Sequence, residues 1–194
     1  MSQDDSRENE QIRIFGLNRK SESNRGQEYT FDAFVEIDGV IYNSELKTGS
    51  KNTFSTARGM CREKIEEWKK NDFFIFSKYK KIKQGFVFTR HVVCTPAHLQ
   101  WWFDKVIDWV DVSGHAGKIG LDEYKRDIRP LVETILPKSL MTRFDKTVRV
   151  GTQYNDPKIN INTLLKNGAT ELNMKGDLEQ QLRDYIRFNL TTSN

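Results

Sequence analysis

The sequence predicts an α/β (α+β) fold with a central mixed β-sheet flanked by helices, and three observations carry that expectation. Two runs rich in aromatic and β-branched residues, Tyr29 to Ile37 and Val40 to Lys47, flank Asp38-Gly39, which reads as a hairpin closed by a tight turn. A helical stretch from Thr53 or Ser55 to Lys70 follows, with Ala57, Met60 or Cys61, Ile65 and Trp68 recurring at three- and four-residue spacing. That length suits a crossover to a parallel neighbouring strand. Two further strong strands come next, Phe73 to Tyr79 and Phe86 to Cys94, separated by the basic turn KKIKQG, and Pro96 then opens a core helix carrying Leu99, Trp102, Phe103, Val106, Ile107 and Val110.

The other elements are weaker. Residues 1–10 are polar and read as frayed or weakly helical, Gln11 to Leu17 as a short strand or a helix end, and Asn18 to Gly26 as a loop. Asp111 to Gly120 is glycine-rich, and Leu121 to Leu136 is helical with an interruption at Pro130. RFDKTVRV, residues 143–150, has the look of a strand, Gly168 suggests a break, and Leu178 to Leu190 closes the chain as an amphipathic helix. The expected organisation is one domain over 1–194, with a core at about 28–110, a recognition or dimerisation subregion at about 111–175, and the closing helix at 178–190.

A chain of 194 residues with 37% hydrophobic content can bury a real core. No apolar run approaches the roughly 18 residues that span a bilayer, and the polar start lacks the order of a signal peptide, so a soluble, cytoplasmic protein without a membrane partner is expected. Cys61 and Cys94 lack zinc-site spacing and read as reduced, apolar residues. The formal charge of +4 is modest, but Lys and Arg cluster at 47–51, 58–70, 78–83 and 143–149, which favours a polyanionic partner.

Within that basic chain the hairpin gathers acids. Glu45 and Lys47 share a strand face, and folding about Asp38-Gly39 sets Asp32 near the level of Glu45, close enough for both carboxylates to hold one divalent cation. Mg²⁺ would relieve their repulsion while accepting phosphate oxygens, and Lys47 would face the same cleft. The Leu46 carbonyl is a further ligand candidate, as is Glu28, and Glu8 or Glu10 can reach in from a leading helix. The same three charges also suit a solvated hairpin face on which Glu45 and Lys47 pair. Against that, Phe31, Phe34, Val35, Tyr42 and Leu46 make the hairpin hydrophobic, and an isolated acid there is costly without a partner.

Phe31-Asp32, twelve intervening residues and then Glu45-Leu46-Lys47 resemble the PD-(D/E)xK signature of restriction-endonuclease-like nucleases, with Phe31 in place of the proline. The order of elements over 28–110 is similar to the core of that superfamily. The resemblance implies that Asp32 and Glu45 bind Mg²⁺, that Lys47 assists attack by water, and that the substrate is double-stranded DNA. Within the superfamily the expectation is a type II restriction endonuclease acting as a homodimer, one site per strand of a palindrome. A structure-selective resolvase or repair nuclease is the first rival, and a non-catalytic DNA-binding protein the second.

The remaining candidates bind DNA. Ser50, Lys51, Asn52 and Thr53 follow Lys47 and are candidates for holding a phosphate at a helix start, unless they form a simple capping loop. Arg58 and Arg62 lie four apart on one helix face, as a phosphate-binding pair or as an ordinary solvated face, and Lys78, Lys80, Lys81 and Lys83 form a basic surface turn that would touch only backbone if DNA wraps the molecule. Arg143, Lys146, Arg149, Gln153, Asn155 and Lys158 are donor types that pair with purine edges. His91 reads as structural, His98 as a helix-start residue, and Trp101, Trp102 and Trp109 as mainly core.

Overall fold

The computed structural model describes residues 3–19, 31–55, 62–107, 124–138, 140–141 and 158–191. A six-stranded mixed sheet forms its centre, in the order β1 (Asn18–Arg19), β2 (Ala33–Ile37), β3 (Val40–Gly49), β5 (Phe73–Ile82), β6 (Gly85–Cys94), β8 (Thr170–Glu171). Only β3 and β5 run parallel, and every other neighbouring pair is antiparallel. Asp38 and Gly39 both have positive φ, 55° and 80°, as a tight turn matching the strand twist requires, so the hairpin register follows from the turn: Ile37 opposes Val40 and Ala33 opposes Ser44.

The crossover from β3 to β5 passes through α2 (Arg62–Lys69). Its exit is pinned to β3 twice, since the Asn43 amide donates to Asp72 Oδ2 at 2.7 Å and the Asp72 amide donates to the Asn43 carbonyl at 2.9 Å. That clasp sets Ser44 beside Phe73 and carries the parallel register onward to Gly49 beside Lys78.

Alternation along the strands divides the core into two layers. Phe74, Phe76, Val92 and Cys94 pack against Ile65 and Trp68 of α2 and against Trp102, Phe103 and Val106 of α3, which spans 100–107 after a 3₁₀ turn at Pro96–Leu99. Val35, Ile37, Leu46, Phe73, Ile75 and Val93 pack on the other side against Leu182, Tyr185 and Ile186 of the closing helix α6 (Leu178–Leu190). Asp177 caps α6 by accepting from the Gln180 amide at 3.0 Å. Arg183 and Arg187 tie it to the hairpin at the Glu36 carbonyl and Asp38, 3.3 and 3.1 Å.

Several elements depart from the sequence reading. The polar N-terminus forms a helix, α1 (Gln3–Ile14), ending at Gly16 with φ 60°, so of the readings offered for 1–17 the helical ones hold, and Asn18–Arg19 is an edge strand rather than loop. Polar groups tie α1 to the sheet beside the packing of Ile12 and Ile14 on the core: buried Gln11 donates to Ser77 Oγ at 2.7 Å, Ser77 bonds His91 Nδ1 at 2.7 Å, and Arg7 donates to the Tyr79 hydroxyl at 3.0 Å. Ser77→Ala is therefore expected to leave two buried polar groups without their partner and to cost about 2 kcal/mol in urea denaturation; a loss under about 0.5 kcal/mol would remove this network from the account of how α1 docks.

Thr53–Phe54 forms strand β4, paired with β7 (Ile159–Asn160), so the helix does not start at Thr53; residues 56–61 lie outside the described residues. Phe54 is buried edge-to-face on Phe76 at 5.2 Å, and that burial holds the segment extended. The long hairpin keeps Lys78, Lys80 and Lys81 inside β5 and turns at Lys83-Gln84. Pro130 sits at the start of α4 (Arg129–Ile135), directly after a π-helical turn at Tyr124–Ile128, where its missing N–H is tolerated. Between β7 and β8 a short helix, α5 (Ile161–Lys166), ends before Gly168, whose φ of 91° is the expected break. The strand expected at 143–150 lies outside the described residues, as do Cys61 and Trp109.

Candidate active site at the end of the β2–β3 hairpin

The ladder between β2 and β3 stops one step short of Asp32, which sits in a bend opposite Glu45, its amide still donating to the Ser44 carbonyl at 2.9 Å. Two residues on from Ser44, the Leu46 amide faces the same edge, and the Asp32 carboxylate takes it through Oδ2 at 2.8 Å. The Asp32 side chain thus replaces the backbone partner that β2 no longer supplies. The Leu46 carbonyl shares that edge of the strand.

Glu45 and Lys47 project to the α2 face. The Lys47 ammonium is hydrogen-bonded to Glu45, lies 3.8 Å from Asp32 Oδ2 and stands 5.1 Å from the centre of the Trp68 ring. Glu45 is only 7% exposed, while Asp32 and Lys47 are half-buried, and the Glu45–Lys47 pair that the solvated-face reading expected is formed. Burial pushes the Glu45 carboxyl up to about 7; Lys47 opposes the shift, and the charges of Asp32 and Glu8 add to it. Burial also works against the Lys47 ammonium, but the charges of Glu45 and Asp32 and the hydrogen bond to Glu45 outweigh it and raise its pKa.

These groups border a cleft of about 550 Å³ lined from α1, the end of β3, the β3–β4 turn and the start of β7. Asp32, Leu46, Lys47, Ser50, Lys51 and Thr53 are all at its surface, and Glu45 lies beneath Lys47. Asn52 is not. Its side chain accepts from Lys78 at 2.9 Å and its carbonyl from the Ile161 amide at 2.9 Å, which makes it a brace for the turn. No helix start lies at 50–53, so the phosphate-binding role expected from helix N–H groups there is corrected: this is a strand-to-strand turn.

Of the two leading-helix acids, Glu8 faces the cleft, held by Arg19 at 2.8 Å, whereas Glu10 pairs with Arg13 at 2.7 Å and lines a separate groove. Glu28, Arg58, Arg143, Lys146, Arg149, Gln153 and Asn155 lie outside the described residues. Lys158 reaches the cleft because β7 pairs with β4. Arg7 also lines it and was not visible as a site residue; the only sequence signal is helical spacing, which sets residues 7, 8 and 11 on one side of α1. His91 is buried, bonded to Ser77 and pushed down to about 4 by burial, which fits its structural reading. His98 accepts from the Thr95 amide at 3.1 Å at the start of the 3₁₀ turn, and Trp102 is fully buried.

Among the described residues no group of three His, Cys, Asp or Glu side chains gathers as a metal site. The donors available are two carboxylates, Asp32 and Glu45, and the Leu46 carbonyl. Such an all-oxygen set suits Mg²⁺, which keeps several waters and shares its remaining positions with phosphate oxygens, and does not suit zinc. The Lys47 ammonium is the positive charge beside both carboxylates, in the role a bound cation would take over.

No protein-family model matches the chain, and no curated protein matches it at a significant level. Among the described residues, no helix is long and apolar enough to cross a membrane.

Proposed function

We propose that the protein is a Mg²⁺-dependent endonuclease that hydrolyses phosphodiester bonds of double-stranded DNA, and within that class a type II restriction enzyme working in the cytoplasm as a homodimer. One observation carries the reading: the Asp32 carboxylate, clasped by the Leu46 amide at 2.8 Å, stands beside the buried Glu45–Lys47 pair at the surface of an open cleft. A charged triad of this kind is expensive to bury for stability alone and suits a site where charge develops during reaction.

Mg²⁺, when bound, supplies neutralising charge for the phosphate and a more acidic water. The chain's own groups do the rest. Asp32 and Glu45 would hold the cation, and the amide of Leu46 keeps the Asp32 carboxylate in one orientation. Lys47 is an ammonium while it faces the two carboxylates, so its part is to orient the attacking water and to stabilise the negative charge growing on the phosphoryl oxygens, not to accept a proton. The assignment to restriction enzymes rests on the chain beyond 110, which leaves room for base reading and pairing of two copies.

Incubation with mixed-sequence plasmid DNA and Mg²⁺ is expected to give discrete fragments, abolished by EDTA. Asp32→Asn keeps an acceptor for the Leu46 amide while removing the charge, so it is expected to fold with an unchanged circular dichroism spectrum and to cut no DNA. A smear would replace the restriction reading by a non-specific nuclease, and preference for branched over linear DNA by a resolvase. Absence of cutting on DNA covering many sequences, with intact salt-sensitive binding, would leave a binding protein.

A further inference from the structure

The cleft carries more positive charge than the triad uses. Arg7, Lys51 and Lys158 line it from three separate chain segments, in addition to Lys47. We infer that these three residues form a clamp for the phosphates flanking the scissile one, so that the site takes an extended nucleic-acid strand and not a small phosphoester. The inference rests on the nuclease reading for the identity of the central phosphate, but its own content is the placement of three cations around it.

The same contacts that dock α1 and brace the β3–β4 turn fix where the three residues stand, Arg7 through its own side chain and Lys51 and Lys158 through their chain neighbours. The Arg7 guanidinium lies 4.5 Å from the centre of the Tyr79 ring and donates to its hydroxyl at 3.0 Å, and Tyr79 is itself 8% exposed, so the cation is set on a nearly buried platform at the cleft. Lys51 sits in the β3–β4 turn, and the next residue, Asn52, is fixed from two directions by Lys78 and by the Ile161 amide, each at 2.9 Å. Lys158 precedes Ile159, which is buried and pairs with buried Phe54 across the two-stranded β4–β7 sheet. Among the described residues, no carboxylate engages Lys51 or Lys158.

A single phosphate at Asp32 and Glu45 is served by Lys47 and the cation there. Three more positive groups from elements distant in sequence exceed what one phosphate can contact and match a backbone carrying a charge at every nucleotide. Lys158 therefore moves from the base-reading role its residue type suggested to a backbone role. Arg7, which carried no assignment, becomes a positioning residue.

The test is a salt titration of DNA binding in a Lys47→Ala background with Mg²⁺, where DNA remains uncut, using a fluorescein-labelled duplex and anisotropy. Arg7→Gln, Lys51→Gln and Lys158→Gln are each expected to lower the slope of log K against log salt by about 1, equally on unrelated sequences. Arg7→Lys, which keeps the charge, is expected to retain the parental slope, as is Lys175→Gln, outside the cleft. Melting temperatures identify any variant that fails to fold, and Lys51→Gln and Lys158→Gln, on two other chain segments, keep the test decisive if Arg7→Gln is one of them. A parental slope for any two of the three Gln variants, in folded proteins, would overturn the clamp even if the native protein cuts DNA. Lowered slopes in a protein that cuts no DNA would retain the clamp and remove the nuclease reading.

Discussion

Lys47→Met is expected to abolish Mg²⁺-dependent cutting, by about 10²-fold to 10⁴-fold or more, while the protein still folds and loses stability in a pH-dependent way. Methionine keeps an apolar stem against Trp68 and removes only the charge, so the packing of α2 on β3 is preserved. The charge is what matters to Glu45. Burial raises that carboxyl to about 7 even with Lys47 opposing the shift, and without Lys47 it rises further. In the unfolded chain the same group titrates near 4.5. The folded variant thus holds its proton more tightly than the unfolded one, so its stability is greatest below that pH and falls as pH rises through the folded pKa. Urea denaturation at pH 5 and pH 8 should show a small difference from the native protein at the lower pH and a loss of about 3 kcal/mol at the higher, the scale on which breaking a buried pair acts. Equal losses at both pH values would mean that Lys47 does not hold the Glu45 charge, and the electrostatic account of the triad would fall with it.

How legible this site was from the residues alone follows from which contacts are local. Asp38-Gly39 is adjacent in sequence to both strands it joins, and its two positive φ angles set the register that brings Asp32 opposite Glu45. The closing helix was equally plain, because Leu182, Tyr185 and Ile186 recur on one side of 178–190 and are all buried. By contrast, α1 reads as weak in sequence because two of its contacts with the sheet are the polar side chains of Gln11 and Arg7, whose partners Ser77 and Tyr79 are 66 and 72 residues away. Hence Arg7 was invisible, and Glu8 could not be told from Glu10. The β4–β7 pairing joins Thr53 to Asn160, a contact no local pattern announces, so of the two helix starts the sequence offers, Thr53 and Ser55, the first is strand instead. The relative placement of Asp32, Glu45 and Lys47 on the hairpin could be read locally; the walls of the cleft could not, since they are made by long-range pairing.

The second large effect is competition between a proton and the metal for Glu45. With that carboxyl at about 7, a cation binding at pH 6 must displace a proton, whereas at pH 8 it meets an ionised group. The Mg²⁺ concentration for half-maximal cutting is therefore expected to rise by up to about tenfold per pH unit below 7 and to level off above 8. Calorimetric titration in buffers of different ionisation enthalpy should show about one proton released per Mg²⁺ bound at pH 6 and almost none at pH 8. A readout independent of cutting comes from stability. The apoprotein gains from Glu45 below pH 4.5 and loses that gain as pH rises through 7, because the folded site must then carry a charge that burial disfavours. Saturating Mg²⁺ offsets that loss, so the increase in melting temperature it produces should be larger at pH 8 than at pH 6 at the same concentration. A metal-dependent shift that is flat from pH 6 to pH 8, with no proton release, would place the cation away from Glu45 and leave Asp32 without its partner carboxylate, which would sink the two-carboxylate assignment even if DNA is cut.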